Sequence, residues 1–401
     1  MSGASIEWMG RLAAWRSGGS AGPLRVTLFP TNRCNLRCSI CWQRWADVDR
    51  TEMSDERLMR LVDECAELGV REWLIIGGGE PMVRGQIVMK MISRIRELGM
   101  NGGLHTNGTI FDQAHFEELI RVGWQRVTVS LDGPNEEIND SIRSKGSFAK
   151  ATENIRKLGE LKRQRNALLP GISLYVTLTK LTCDKVEDII ELSHALGCDH
   201  ELSLSDLIVQ GERCEELALT KDDWKTLRAS ARRAEILANR YGMSTNLACY
   251  AEDSGQPASS GLRPVQWAHG DPANAICYEP WLSLSILPDG KCGPCCAFYD
   301  PGADSLANLS LQEVWRGKYL EEVRRQLREK HPPDYCSRCP SNNMALANWQ
   351  RQVYHEHEFW RRLTGARRFA YLARKGVQSI RKHGVLTSVK RGAEWVRLHR
   401  H

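Results

Sequence analysis

No stretch of this 401-residue sequence approaches the roughly 18 consecutive apolar residues that a membrane-spanning helix needs. The opening residues, MSGASIEWMGRLAAWRSGG, lack a continuous apolar run ending in small residues, so no export signal is read there and a cytoplasmic setting is expected. Internal repeats and low-complexity tracts are missing as well. What remains is ordinary globular composition, 42% hydrophobic and 26% charged, long enough for a large core and a smaller second domain. Fourteen cysteines without an export signal argue against a disulfide framework, because thiols stay reduced in the cytosol and clustered ones there bind metal more often. The net charge of +6 is unevenly placed. Residues 351–401 hold 13 Lys+Arg against 3 Asp+Glu, whereas residues 1–350 hold 42 against 46 and are slightly acidic.

From Leu24 onward, β-rich runs alternate with helical patterns. Strands are expected at 24–30, 72–77, 102–106, 126–131, 172–179 and 200–206. The clearest helix carries Leu58, Leu61, Val62, Cys65 and Leu68 on one face, with Ser54 as its cap and Gly69 at its end. Repeated strand-then-helix order reads as parallel βα units, and six of them fit an α/β fold with a partial (β/α)6 TIM-like barrel over 24–212. In such folds the chemistry sits on loops at the C-terminal ends of the strands. There the sequence places CNLRCSIC, GGGEP, TNG and DGP, after the first, second, third and fourth strands. Residues 1–23 form an extension and 213–261 a helical linker. Residues 262–340 form a small Cys-, Gly- and Pro-rich C-terminal domain that metal would organise, and 341–401 a basic helical tail.

Cys34, Cys38 and Cys41 form C-x3-C-x2-C, a spacing short enough for three thiolates to meet one inorganic centre. Iron-sulfur clusters normally take four thiolates, so a three-cysteine loop leaves one iron open, as a catalytic metal keeps a free position. Spacing alone leaves a zinc loop as the alternative.

Together with the motifs that follow it, this loop strongly resembles the radical S-adenosylmethionine (SAM) superfamily over roughly residues 24–210. The resemblance implies a [4Fe-4S] cluster on Cys34, Cys38 and Cys41 whose open iron chelates SAM. Reductive cleavage of SAM then yields a 5′-deoxyadenosyl radical that abstracts a substrate hydrogen. Gly78, Gly79, Glu80 and Pro81 match the family segment that faces the SAM amino group, largely through backbone carbonyls that glycine lets approach. Ser130 and Arg143 resemble contacts to the SAM ribose or carboxylate, and Asp132 is a candidate substrate-facing catalytic residue beside its reading as turn chemistry. Ile40 stands where the family usually has an aromatic residue near the adenine, and Trp42 is left unassigned.

A second group, Cys277, Cys292, Cys295, Cys296, Cys336 and Cys339, lies in CYEPWLSLSILPDGKCGPCC and a later CSRC. Its CxxC is a strong ligand pair, and the hairpin-like SLSILPDGK before the PCC presents further thiols. The segment resembles the SPASM and twitch extensions of radical SAM enzymes in ILPDG, PCC, SLQEVW and CSRC, with ANL where GNL is usual. That resemblance implies one auxiliary [4Fe-4S] cluster on Cys277, Cys295, Cys336 and Cys339, with Cys292 and Cys296 as alternatives to Cys295 and zinc as the alternative occupant. Four thiolates would close this cluster and make it an electron relay or structural centre.

Cys65 and Cys198 read as packing residues. Cys183, Cys214 and Cys249 are open to other roles, and Cys249 is the candidate hydrogen donor of an epimerase. The tail sets Trp349, Val353, Trp360, Leu363, Val385, Leu386, Val389, Ala393 and Val396 against many Arg and Lys, a pattern suited to peripheral contact with the inner, anionic face of a membrane or to a helical cap.

The expected activity is hydrogen abstraction by SAM-derived radical chemistry, with a reductant such as flavodoxin or ferredoxin and no nucleic-acid partner. Because only about 23 residues precede the first strand, too few for a leader-binding domain, the expected substrate is a carbohydrate or another small polar molecule, dehydrogenated or epimerised. The alternatives are a peptide-modifying maturase whose recognition comes from a separate partner, and a non-catalytic zinc scaffold.

Overall fold

The computed structural model describes residues 4–16, 19, 21–44, 48–209, 212–251, 277–296, 298 and 300–338. Cys339 and the basic tail lie outside them. Among the described residues no helix is long and apolar enough to cross a membrane.

Six parallel strands form the body: β1 (Arg25–Leu28), β2 (Glu72–Ile75), β3 (Asn101–Thr106), β4 (Arg126–Ser130), β5 (Gly171–Leu178) and β6 (Glu201–Asp206). Helix α1 (Ala4–Arg16) precedes them, and α2 (Asp55–Glu67), α3 (Gly85–Glu97), α4 (Gln113–Arg121), α5 (Glu136–Ile142), α6 (Ser147–Gln164) and α7 (Val186–Ala195) connect them. The strands pair in chain order, giving the partial α/β barrel that the strand-then-helix alternation predicts. Local chemistry agrees with the sequence at α2: the Ser54 hydroxyl accepts the Arg57 N–H at 3.2 Å, and Gly69 leaves the helix at φ 75°.

The sheet does not stop at β6. After α8 (Glu212–Leu217), helix α9 (Lys221–Arg240) packs on α7 and leads into β7 (Ser244–Thr245), which pairs in parallel with β6, and then α10 (Ala248–Ala251). The expected linker thus continues the barrel. At the other edge, α11 (Glu279–Leu282) introduces β8 (Ser283–Ile286), which pairs in parallel with β1 and forms a hairpin with β9 (Cys292–Gly293). Leu284, Ile286, Cys292 and Leu306 therefore join the barrel's own apolar core, as do Leu311, Val314 and Trp315 from α12 (Leu311–Trp315). The Cys-rich segment thus starts from a barrel strand, and its apolar side chains have the barrel's core to enter.

Beyond α12, helix α13 (Lys318–Glu329) joins α1 and α11 in a second cluster of Trp8, Met9, Tyr278, Trp281, Val323 and Leu327. Arg324 is fully buried there, its guanidinium 4.5 Å from the Trp15 ring centre and 4.4 Å from that of Trp315. Its donors reach the carbonyls of Pro280 (2.9 Å) and Trp315 (3.0 Å) and the Glu321 carboxylate (2.6 Å).

Alternation along the strands sorts the side chains by face. Val127, Val129, Leu174, Val176, Leu202 and Leu204 pack outward among the helices. Thr128, Ser130, Ser173, Tyr175, Thr177, Ser203 and Ser205 occupy the other parity and line the lumen. The ring centres of His105 on β3 and Tyr175 on β5 lie 5.7 Å apart across β4, which fixes that face as the interior. Burial, and then the charge of Arg126, push the His105 imidazole down to about 4, so the lumen holds it neutral.

Two outcomes follow. Arg324→Ala empties the space between two indoles and leaves two carbonyls unpaired, and it should lower the free energy of urea unfolding by about 3 kcal/mol. His105 binds a proton more readily in the unfolded chain, so its contribution is complete above pH 6.5 and is lost as the pH falls toward 4. The loss is on the order of 3 kcal/mol, and His105→Gln should remove it from the pH profile of stability.

Candidate active site at the mouth of the barrel

The loop after β1 carries Cys34, Cys38 and Cys41 in irregular backbone, with the Cys41 N–H on the Cys38 carbonyl at 3.2 Å and the Leu36 N–H on the Cys34 sulfur at 3.4 Å. Burial raises the Cys38 thiol to about 11, with Asp132, Cys41 and Cys34 adding to the rise and Arg143 opposing it. Burial raises Cys34 too, against the pull of the Leu36 N–H and of Arg143. The three sulfurs therefore share one electrostatic neighbourhood, and Arg143 is a cation that acts on it.

Among the described residues no group of three or more His, Cys, Asp or Glu converges as the ligands of one metal ion would. Thiolates on a four-iron cube each bind a different iron and stand further apart. The loop's donor set of three thiols fits such a cluster with an open iron.

The GGGEP loop after β2 is laid directly on the cysteine loop. Gly79 N–H donates to Thr31 O and Glu80 N–H to Arg33 O, each at 2.9 Å. A Cβ on Gly79 would lie 2.0 Å from the Arg33 carbonyl oxygen, and one on Gly78 would lie 2.1 Å from Asn32 Oδ1. At Gly79 the obstacle is backbone and no side chain fits, whereas at Gly78 it is the tip of the Asn32 side chain.

Pro81 opens a short 3-10 turn, and the Glu80 side chain caps it. That carboxylate, 2% exposed, accepts from Met82 N (3.0 Å), Thr106 Oγ1 (2.7 Å) and Asn107 N (2.6 Å). Asn107 in turn donates to Asn35 Oδ1 at 2.9 Å, and Asn35 donates to Thr109 Oγ1 at 2.9 Å. Loops one, two and three are thus one hydrogen-bonded body. Sequence reasoning placed TNG at a strand end but gave no role to Asn35 or Asn107, whose pairing spans 72 positions.

Ser130 ends β4 on the lumen side, level with Tyr175 and Ser203. Asp132 is fully buried, with Oδ2 2.7 Å from Arg143 Nε and Oδ1 accepting the Thr177 N–H at 2.8 Å. Burial weakens the Arg143 charge, but Asp132 and then Cys38 outweigh it and hold the group protonated. Ile40 turns toward Leu207, Cys214 and Leu217, where the connection after β6 covers the cysteine loop, and the Cys214 thiol faces the Ser39 carbonyl at 3.8 Å. Trp42 is 41% exposed.

The second cysteine group divides. Cys292 is fully buried in the barrel core beside Cys65, its thiol 3.3 Å from the Gly290 carbonyl. Cys295 and Cys336 both act on the Tyr335 hydroxyl, so these two thiols lie in one neighbourhood. Cys296, the next residue, acts on Tyr175 in the lumen together with Asp132 and Asp206. Adjacent cysteines therefore serve two sides, the module and the barrel mouth. Cys277 is half-buried.

Of the single cysteines, Cys65 is core as expected, and Cys198 is packed at its helix end with its thiol raised by burial to about 12. Cys183 is buried with its sulfur 3.4 Å from the Lys180 carbonyl, and Cys249 is exposed on α10.

Comparison with known proteins agrees with this geometry. The model of the radical SAM superfamily matches residues 28–193, and that of the SPASM iron-sulfur cluster-binding domain matches residues 277–340. Mycofactocin maturase MftC of Mycolicibacterium smegmatis is 28% identical over 193 residues, 48% of this chain and 47% of that protein, so the match spans about half of that relative. PqqA peptide cyclase of Granulibacter bethesdensis is 30% identical over 310 residues, 74% of each chain. The solved structure of Streptococcus suis SuiB bound to precursor peptide SuiA has the same fold, with a TM-score of 0.59 and 16% identity over 76% of this chain and 67% of that one. With a three-cysteine loop, a side-chain-free glycine loop laid on it and a relative matched across barrel and module alike, this chain belongs to the radical SAM superfamily and takes iron-sulfur clusters and SAM as its cofactors.

Proposed function

We propose that this radical SAM enzyme modifies a peptide, abstracting hydrogen from one of its unactivated carbons. The match to a protein named as a PqqA peptide cyclase carries the reading, because it extends over 74% of both chains. A maturase among the shorter matches supports it. The peptide alternative is thereby preferred to the carbohydrate substrate expected from the sequence. That expectation rested on the short segment before β1, yet a leader can also be recognised by a separate partner.

The cluster and SAM, when bound, supply the radical chemistry. The chain's own residues position and exclude. Cys34, Cys38 and Cys41 hold the first cluster, and Gly78 and Gly79 offer backbone to SAM while Glu80 locks their loop. Tyr175, Ser203 and Ser205 present hydroxyls, and neutral His105 an imidazole, to a hydrogen-bonding substrate group in the lumen, while Ser130 and Arg143 are the proposed SAM contacts. Cys277, Cys295, Cys336 and Cys339 are the proposed auxiliary ligands, and a small electron-transfer protein such as flavodoxin or ferredoxin is the proposed reductant.

Anaerobically reconstituted protein should hold about eight irons in two four-iron clusters. It should release 5′-deoxyadenosine faster with members of a peptide panel than with a panel of oligosaccharides. Turnover on oligosaccharides alone would return the substrate to the carbohydrate class, and about two zincs with no SAM cleavage would leave a scaffold. The ligand assignment has its own check. Cys295→Ser and Cys336→Ser should lower the iron content to about four per chain and keep the SAM-responsive cluster signal. Cys296→Ser should keep both clusters, and iron loss in that variant instead of Cys295→Ser would exchange the two residues.

A further inference from the structure

Asp132 follows β4 in the turn that leads to α5, and both of its carboxylate oxygens are engaged. Oδ1 accepts the Thr177 N–H from the neighbouring strand and Oδ2 faces Arg143 Nε, while its own N–H donates to Asn139 Oδ1 at 3.0 Å. With no exposed surface, this carboxylate cannot meet a substrate.

Its partner is fixed to the cysteine loop. Arg143 is the C-cap of α5, its N–H on Asn139 O at 2.8 Å. The residue before it, Ile142, gives its carbonyl to both the N–H (2.7 Å) and the hydroxyl (2.8 Å) of Ser39. The residue after it, Ser144, gives its hydroxyl to the N–H of Arg37 at 3.0 Å. Arg37 and Ser39 flank Cys38. Three hydrogen bonds thus tie the peptide on either side of Arg143 to the peptide on either side of a cluster cysteine.

A guanidinium is a planar fork of five donors, and engaging Nε leaves the two terminal nitrogens directed elsewhere. The Arg143 side chain is 12% exposed, enough for a ligand to reach it. Its charge acts on Cys34 and Cys38, so the guanidinium lies near the cysteine loop. SAM carries a carboxylate and would bind at the cluster of this loop, and a guanidinium paired at Nε keeps its two terminal nitrogens for such a group.

We propose that Asp132 is a positioning residue: by gripping Nε it aims the terminal nitrogens of Arg143 at the carboxylate of SAM, over the cluster held by Cys38 and its two neighbours. The substrate class does not enter, since the inference rests on family membership alone.

The test is a titration of SAM into reconstituted full-length protein without substrate, followed by the shift that SAM induces in the electron paramagnetic resonance of the reduced cluster. Asp132→Asn should keep the iron content and the SAM-free spectrum and require roughly tenfold more SAM for the shift. Arg143→Gln should do the same, and the double variant should be no weaker than Arg143→Gln alone, because Asp132 acts only through the arginine. The double variant also leaves no unpaired buried charge, so it remains readable if Asp132→Asn alone fails to fold. Wild-type SAM affinity in Asp132→Asn, or a double variant much weaker than Arg143→Gln, would overturn the proposal.

Discussion

The catalytic end of this barrel depends on a loop that carries no side chain where it meets the cysteines. Gly78 and Gly79 pass so close to Asn32 and Arg33 that a Cβ would fall about 2 Å from an oxygen. Such an approach brings backbone dipoles up to the place where a cofactor must bind, but it has no side-chain packing to hold it. Glu80 supplies the hold. A buried carboxylate is tolerated only when its lone pairs are filled, and here three donors from two loops fill them. The same bonds that satisfy the charge fix the geometry.

On the opposite side of the cysteine loop a second buried charge works in a similar way. Asp132 and Arg143 form an ion pair with almost no exposure, anchored to β5 through Thr177 and to α5 through Asn139. A buried pair of this kind contributes little net stability, since desolvation offsets much of the attraction, but it specifies an arrangement closely. The cysteine loop is thus held by two networks centred on buried acids.

The C-terminal module is less separate than its composition suggests. By pairing β8 with β1, the chain extends one edge of the sheet with a strand of the module and brings the segment that carries Cys292, Cys295 and Cys296 against the barrel. One thiol is used in packing, one faces Cys336 across Tyr335, and one acts on Tyr175 in the lumen. These cysteines lie close to the barrel because a strand pairing puts them there.

Much of this was legible from the residues in order. The strand-then-helix rhythm determined the parallel barrel, since hydrophobic periodicity and caps are local properties, and the motifs fell at strand ends because parallel topology puts every such end on one side. The spacing of Cys34, Cys38 and Cys41 marked a three-thiol site because eight residues are a local property, and the motifs after the later strands were needed to separate an iron-sulfur cluster from a zinc loop. Contacts between distant residues were decided only by the fold. The sequence could not separate Asp132 as a substrate group from Asp132 as the holder of Arg143, nor Cys292 in the core from its neighbours at the mouth. Those distinctions depend on which strand lies next to which, and burial and partners are set by that pairing rather than by any residue's immediate neighbours.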